Sequence, residues 1–405
     1  MKMNITFPLI LDGAMGTQLQ KKGIPPGVCS EQWLIENPDA AYEIQKAYVN
    51  AGSQVIYAPT FGANAENLKR HGIFNKVEEF NAALVGISKK AAGGKALVAG
   101  DITSTGGMLR PLGNMSFEDF YEIYLEQASA LEKAGVDLFV IETITAVPEA
   151  RAALLAVKAV SDKPVFVSFT CDDSGRTMMG TDVCAALQIM QGMGVDAFGL
   201  NCSVGPDEIV KQIKRLSAYS EVPLIAKPNA GLPQIADGKT VYTVNAEDFA
   251  KFIPALADAG ACVFGGCCGS DESFIAAIKK SLDGVSIKES APQYNGLLPC
   301  ATEKDVFMLT PAEEASEIFA CDDELEDNLY ELEPGELFGI EITCDEDVDV
   351  FSEVQYAIKN PLCIVCSDAL LLEKALRAYQ GRALYNGSLS KAELQPLAEK
   401  YGLII

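Results

Sequence analysis

A single histidine, His71, stands among 405 residues. A Ser-His-Asp triad would need it, yet it lies in a polar stretch, 67–72, away from the end of any expected strand. A zinc site built from several histidines is excluded outright. Basic residues are scarce as well. There are 32 Lys and Arg against 56 Asp and Glu, a net charge of −24. Nucleic-acid binding needs clustered Lys and Arg at the phosphates, and an anionic membrane surface needs the same. Neither partner fits this chain. No uninterrupted apolar run reaches the ~18 residues that a membrane span requires. The opening residues 1–11 meet Asp12 and Gly13 too soon for a signal peptide. The expectation is a cytoplasmic chain.

The charge is uneven. Residues 300–405 carry −16 of the −24, and between Asp305 and Lys359 there is no Lys or Arg. Such a stretch reads as a solvated acidic face, or as a docking surface for a partner.

Apolar residues make up 49% of the chain. Eight nearly continuous apolar runs recur at 9–13, 54–61, 96–103, 136–143, 164–171, 195–202, 223–231 and 261–269. Continuous runs suit strands buried on both faces, as in parallel sheets. Between them lie stretches of helical spacing, clearest at 117–134, 147–160 and 246–259. Eight strands with eight crossovers is the count of a (β/α)8 TIM barrel. An open doubly wound sheet is the alternative, but the glycines after the first run lack dinucleotide spacing. We expect a barrel over residues 1–285, a linker over 286–310, and an acidic α/β segment over 311–405. In that segment strands are expected at 337–344, 361–367, 383–386 and 403–405, and helices at 348–358, 369–379 and 391–401.

In a TIM barrel the site forms at the C-terminal ends of the strands. Three of the 12 cysteines gather there: Cys202 after the sixth run, and Cys267 with Cys268 after the eighth. Glycines flank the adjacent pair and let the backbone turn both side chains toward one point. Three thiolates with a fourth position open suit Zn²⁺. Such a centre carries a net negative charge, so it activates water poorly but holds a further thiolate well. The alternative for any cysteine is an inert place in the core. That is the reading for Cys171, Cys184 and Cys262. Cys363 and Cys366 form a C-x-x-C inside an apolar strand, where alternation turns them to opposite faces, so they read as structural.

These residues resemble the zinc-dependent homocysteine S-methyltransferase family, and within it the homocysteine-binding module of cobalamin-dependent methionine synthases. The resemblance is carried by LDGAMGTQLQ (11–20), APTFGAN (58–64), GDITSTGG (100–107), VIETITA (140–146), GLNCSVGP (199–206), KPNAG (227–231) and GGCCGS (265–270). It implies that Cys202, Cys267 and Cys268 hold Zn²⁺ and serve catalysis. It implies that Asn229 takes the fourth position before the substrate arrives. It implies that Asp12 and Glu142 hold the ammonium group of homocysteine. The activity implied is methyl transfer to homocysteine to give methionine. The donor stays open among methyl-folate, S-methylmethionine, methylcobalamin and a corrinoid protein. Another small thiol as substrate, or a zinc subunit whose acidic tail docks a methyl-carrier protein, are the rival readings. The betaine-using branch carries a tyrosine where this chain has Gly62, which argues against betaine. The cobalamin-binding D-x-H-x-x-G motif is missing. Residues 360–390 are faintly similar to the first strands of the folate barrel of the same enzymes, but too few residues remain to complete one. That left residues 300–405 to donor delivery or docking as the expectation.

Overall fold

The computed structural model describes residues 5–236, 239–287 and 291–405. Eight parallel strands form one sheet: β1 (Leu9–Ile10), β2 (Val55–Tyr57), β3 (Leu97–Ile102), β4 (Leu138–Ile144), β5 (Val165–Phe169), β6 (Ala197–Asn201) and β7 (Leu224–Lys227), with the eighth strand following a small antiparallel hairpin, β8 (Gln234–Ala236) and β9 (Lys239–Val241), as β10 (Ala261–Phe264). Neighbours run β1-β10-β7-β6-β5-β4-β3-β2, every pairing parallel. Each expected run holds one of these strands, β4 passing its run by one residue, Ile144. β1 and β2 share no ladder. Their seam is closed by Gln54, whose N–H donates to the Ile10 carbonyl at 2.7 Å and whose side-chain oxygen accepts from the Ile10 N–H at 2.9 Å. Ser53 Oγ also donates to the Leu11 carbonyl at 3.0 Å and the Tyr57 N–H to Asp12 Oδ2 at 2.8 Å, so the barrel is closed on its last side by scattered bonds rather than a ladder.

Alternation along the strands divides the core in two. Leu138, Val140, Phe166, Ala197, Ile225 and Val263 fill the barrel interior. Phe139, Ile141, Val165 and Phe198 face outward and join the helices in the main cluster. Cys262 lies in the inner set, buried in the core as expected. The helix Phe117–Ala134 starts at a capping box between Ser116 and Asp119 and stops at Gly135 in the left-handed conformation. No helix among the described residues is long and apolar enough to cross a membrane.

The segment expected as a linker is not bare chain. It carries an antiparallel hairpin, β11 (Leu298–Ala301) with β12 (Val306–Leu309); residues 288–290 of it lie outside the described residues. A four-stranded parallel sheet follows, β13 (Ile318–Phe319), β14 (Phe338–Ile342), β15 (Leu362–Cys366) and β16 (Leu384–Asn386) in that order. Helices Asp345–Val354, Ala369–Ala378 and Lys391–Tyr401 accompany it. The expected last strand is reduced to a single bridge between Leu384 and Ile404. Cys363 and Cys366 do face opposite sides, one beside β11 and one in the main core.

This C-terminal part packs on the barrel. Arg151 is fully buried and donates to the Leu376 carbonyl at 2.7 Å and to Gln380 Oε1 at 2.9 Å. Arg377 forks onto both oxygens of Glu118. Arg382 donates to Gln188 Oε1 at 2.9 Å. Leu372, Leu376 and Tyr379 belong to the same hydrophobic cluster as Ala150 and Leu154 of the barrel helix Val147–Val160. The two parts are therefore not held apart by a bare linker, as the sequence had suggested. The reason is physical: Val147 to Val157 are buried on every side, and such a helix needs a second layer over its outer face.

Candidate metal site and substrate pocket

The C-terminal ends of the strands converge on a cavity of about 290 Å³. Cys202, Cys267 and Cys268 line it, together with Asp12, Asp101 and Glu142. The three sulfurs lie within 4.8 Å of one another, and Cys202 Sγ is 3.9 Å from Cys268 Sγ. Thiolates on one tetrahedral zinc, at about 2.3 Å each, would stand about 3.8 Å apart. The cluster therefore has the size to hold a metal ion.

Local backbone chemistry sets these positions. Cys202 and Ser203 follow β6 in the left-handed region, with φ of 62° and 55°, and Thr143 at the end of β4 has φ of 61°. Non-glycine residues adopt this conformation at a cost of ~1–3 kcal/mol each. Asn201 offsets it. Its side-chain oxygen accepts from the Thr143 N–H at 3.0 Å and from Ser168 Oγ at 2.9 Å, while its nitrogen donates to Thr143 Oγ1 at 2.8 Å. The same nitrogen lies 3.8 Å from Cys267 Sγ. One buried amide thus ties three strand ends to a sulfur.

The Cys267-Cys268 turn is stitched to its neighbours. Gly266 N–H donates to the Asp12 carbonyl at 3.1 Å, Cys267 N–H to Pro228 at 2.8 Å, and Ala230 N–H to Cys268 at 2.9 Å. A Cβ at Gly266 would come within 2.4 Å of Ser270 Oγ. Gly269 has φ of 87°, and a Cβ there would meet Tyr242 at 2.5 Å. Both glycines are required for the turn.

The thiols are hard to charge by themselves. At Cys202 the hydrogen bond with Cys267 pulls downward, but the bond with Cys268 and burial leave the thiol at about 11. Cys268 stands at about 11, lowered by Cys202 and raised by Cys267 and by burial. Cys267 is pushed up further, first by its bond with Cys202. Three thiolates coexist here only against a positive charge. Asn229 adds a second indication. It is buried, its N–H donates to the Val204 carbonyl, and its Oδ1 has no hydrogen-bond partner. Three clustered thiols, with an orphaned amide oxygen on the loop that Pro228 and Ala230 tie to the Cys267-Cys268 turn, are a donor set that fits a cation.

On the other side of the cavity stands a charge cluster. Lys227 Nζ lies 3.2 Å from Glu142 Oε2, 3.6 Å from Asp12 Oδ1 and 4.0 Å from the centre of the Tyr57 ring. Asp12 Oδ2 accepts from the Tyr57 N–H at 2.8 Å. Burial pushes the Asp12 carboxyl up to about 6 against the pull of Lys227. Burial also holds Asp101 well above the carboxylate range, with Glu142 adding to it. Burial works against the Lys227 charge, but Glu142 and Asp12 outweigh it and keep the ammonium protonated.

The structure brings all six expected residues, Asp12, Glu142, Cys202, Asn229, Cys267 and Cys268, to this end of the barrel. His71 is exposed and away from the site. Sequence reading placed Asp101 and Lys227 at strand ends but gave them no part; a lone lysine among strand-end acids was the available signal. Tyr242, whose hydroxyl interacts with Cys268, was missed, because it lies on a loop with no motif. Gly62 is closed to larger residues, since a Cβ there would come within 2.7 Å of Glu31 Oε1. A tyrosine in that place would displace Glu31.

Comparison with known proteins agrees with this geometry. The profile of the homocysteine S-methyltransferase family matches residues 9–282. A methionine synthase of Mycobacterium leprae (strain TN) is 28% identical over 333 residues, covering 74% of this chain and 27% of that protein. A methionine synthase of Mycobacterium tuberculosis is 28% identical over 326 residues, with the same coverage of 74% and 27%. The chain thus spans about a quarter of the length of these curated relatives. Among solved structures, the homocysteine methyltransferase MmuM from Escherichia coli in its oxidized form is 26% identical, with a TM-score of 0.58 over 67% of this chain and 95% of that one. Its metallated form gives 25% and 0.57 over the same shares.

Proposed function

The chain belongs to the homocysteine S-methyltransferase family, and on that premise we propose that its barrel binds homocysteine as a zinc thiolate and passes a methyl group to it, yielding methionine. The observation that carries this reading is the placement of three sulfurs within 4.8 Å in one cavity with buried carboxylates. Cys202, Cys267 and Cys268 would hold the ion, and Asn229 would offer an amide oxygen as a further donor. The zinc supplies the charge that lets a thiol stay deprotonated near neutral pH. The rest of the work falls to the chain. Asp12 and Glu142 bind the substrate ammonium. Asn201 fixes the sulfur of Cys267. The buried wall keeps water from competing for the carboxylates.

We assign residues 1–285 to this barrel and residues 311–405 to a buttress on its outer helices. The methyl donor is left among methyl-folate, S-methylmethionine, methylcobalamin and a corrinoid protein. Methionine formation from homocysteine with each donor in turn tests the activity; no product with any of them would refute it.

Homocysteine binding should release about one proton near pH 7, because a free thiol with a pKa of ~8.5 is mostly protonated there. Calorimetry in buffers of different ionisation enthalpy reads this directly. A heat that does not change with the buffer would mean that the sulfur does not bind as a thiolate.

Asp12→Asn and Glu142→Gln should each weaken homocysteine binding with the metal retained. A hydrogen bond to a charged group is worth ~1.5–3 kcal/mol, or about ten- to a hundred-fold in affinity. Unchanged Kd in both variants would place the ammonium elsewhere.

A further inference from the structure

Two groups on this substrate need recognition, and the acids account for one. We propose that Lys227 reads the α-carboxylate of the substrate and so selects amino-acid thiols over simple aminothiols. This rests on the homocysteine reading above and adds a specificity residue to it.

Lys227 is the one Lys or Arg among the described residues that line the cavity, against the carboxyls of Asp12, Glu31, Asp101 and Glu142. It enters at the end of β7, and its backbone carbonyl accepts from the Cys202 N–H at 3.2 Å, so its stem starts beside a sulfur ligand. Its ammonium is buried. Of its three donors, one reaches Glu142 at 3.2 Å, while Asp12 Oδ1 at 3.6 Å is beyond hydrogen-bond length. Asp12 Oδ1 and Asp101 Oδ1 are buried and have no hydrogen bond. The cluster therefore offers open acceptors and a cation with donors to spare.

An amino-acid thiol brings one ammonium and one carboxylate into this space. Its ammonium has the acids to meet. Its carboxylate meets a single cation and a wall whose other ionisable side chains are acids, and burial of an ion demands a partner. Lys227, held between Glu142 and the Tyr57 ring on a flexible four-carbon stem, is the group that can supply it. The competing role for Lys227 is to neutralise Asp12 and Glu142 and nothing else. The two roles differ in what they do to a ligand that lacks the carboxylate.

The test uses the full-length, zinc-loaded protein and three thiols: homocysteine, 3-aminopropane-1-thiol, which lacks the carboxylate, and 4-sulfanylbutanoate, which lacks the amine. In the wild type homocysteine should bind about ten- to a hundred-fold more tightly than the aminothiol, the usual effect of a charge-assisted contact. Lys227→Met should erase that ratio, weaken 4-sulfanylbutanoate, and leave the aminothiol as tight as before or tighter. Lys227→Arg should restore most of the ratio. Zinc content and circular dichroism check that each variant is folded; if the Met variant is not, the Arg variant and the wild-type ratio still decide. If Lys227→Met shifts homocysteine and the aminothiol equally, Lys227 is only a counter-ion and the inference falls. If the wild type does not distinguish the two, the inference falls while the homocysteine reading stands. If the wild type binds neither thiol, that reading fails and the inference with it.

Discussion

Cys267→Ala should leave the protein without stoichiometric metal and without methyl transfer. Its sulfur is the most enclosed of the three and the one that Asn201 approaches, at 3.8 Å. Removing one of three thiolates leaves a site too incomplete for a soft cation. Cys202→Ala and Cys268→Ala should behave alike, because all three sulfurs share one point of convergence. The magnitude separates ligand from support. Loss of an outer partner costs ~10–100-fold in metal affinity, which is the effect expected for Asn201→Ala. Loss of a ligand should exceed it. Cys262→Ala is the control: that thiol is buried inside the barrel near the Leu224 carbonyl and outside the cluster. Metal content by mass spectrometry, read beside turnover, decides the matter. A Cys267→Ala protein with about one zinc per chain and full activity would overturn the assignment.

Cutting the chain after residue 295 should destabilise the barrel rather than release it. The cut strips the cover from the helices Val147–Val160 and Val183–Gly192, whose residues are buried nearly throughout. It also removes the acceptors of Arg151, which now donates to the Leu376 carbonyl and to Gln380, and bares the apolar surface around it. Each buried polar group left without a partner costs ~1–3 kcal/mol. The milder variant Arg151→Met should therefore lower stability by about 2–6 kcal/mol, measured as a fall in the urea midpoint. The truncated chain should aggregate or unfold at far lower denaturant. A soluble truncation with cooperative unfolding and intact metal would show that the two parts stand alone.

Much of this was legible in the sequence, for identifiable reasons. Strands buried on both faces leave continuous apolar runs, so seven of the eight barrel strands fall inside the runs read at the outset and β4 passes its run by one residue, Ile144. The runs overshoot because residues such as Cys171 and Ala230 are apolar but already belong to the loops beyond the last ladder bond. The cysteine cluster was legible because a parallel barrel sends every strand end to one face. The partner of Lys227 was not. A lysine at a strand end declares its place, while its contacts with Asp12 and Glu142 span the barrel and depend on register.

The packing of the tail was missed because Gly284, Pro292, Gly296 and Pro299 suggested a linker, whereas Pro299 already lies in β11. The signal that would have corrected this lies in the helix Val147–Val160. Apart from Glu149, Arg151 and Lys158 it has no polar face, and a barrel helix without one is not at the surface.

The ladderless closure of the wall between β1 and β2 bears on breathing. Everywhere else around the barrel neighbouring strands share a ladder, whereas here the gap is spanned by two hydrogen bonds between Gln54 and Ile10 and by two further ones that use a side chain, Ser53 Oγ to the Leu11 carbonyl and the Tyr57 N–H to Asp12. Local opening takes the weakest boundary first. Amides of Ile10, Gln54 and Tyr57, which bond across it, should thus exchange with deuterium ahead of those in β4 to β6. Asp12 sits on that boundary, its carboxylate clamped to the Tyr57 N–H across it. A ligand gripping Asp12 would act as a rivet on the loosest joint of the wall, and the same amides should slow when homocysteine is present.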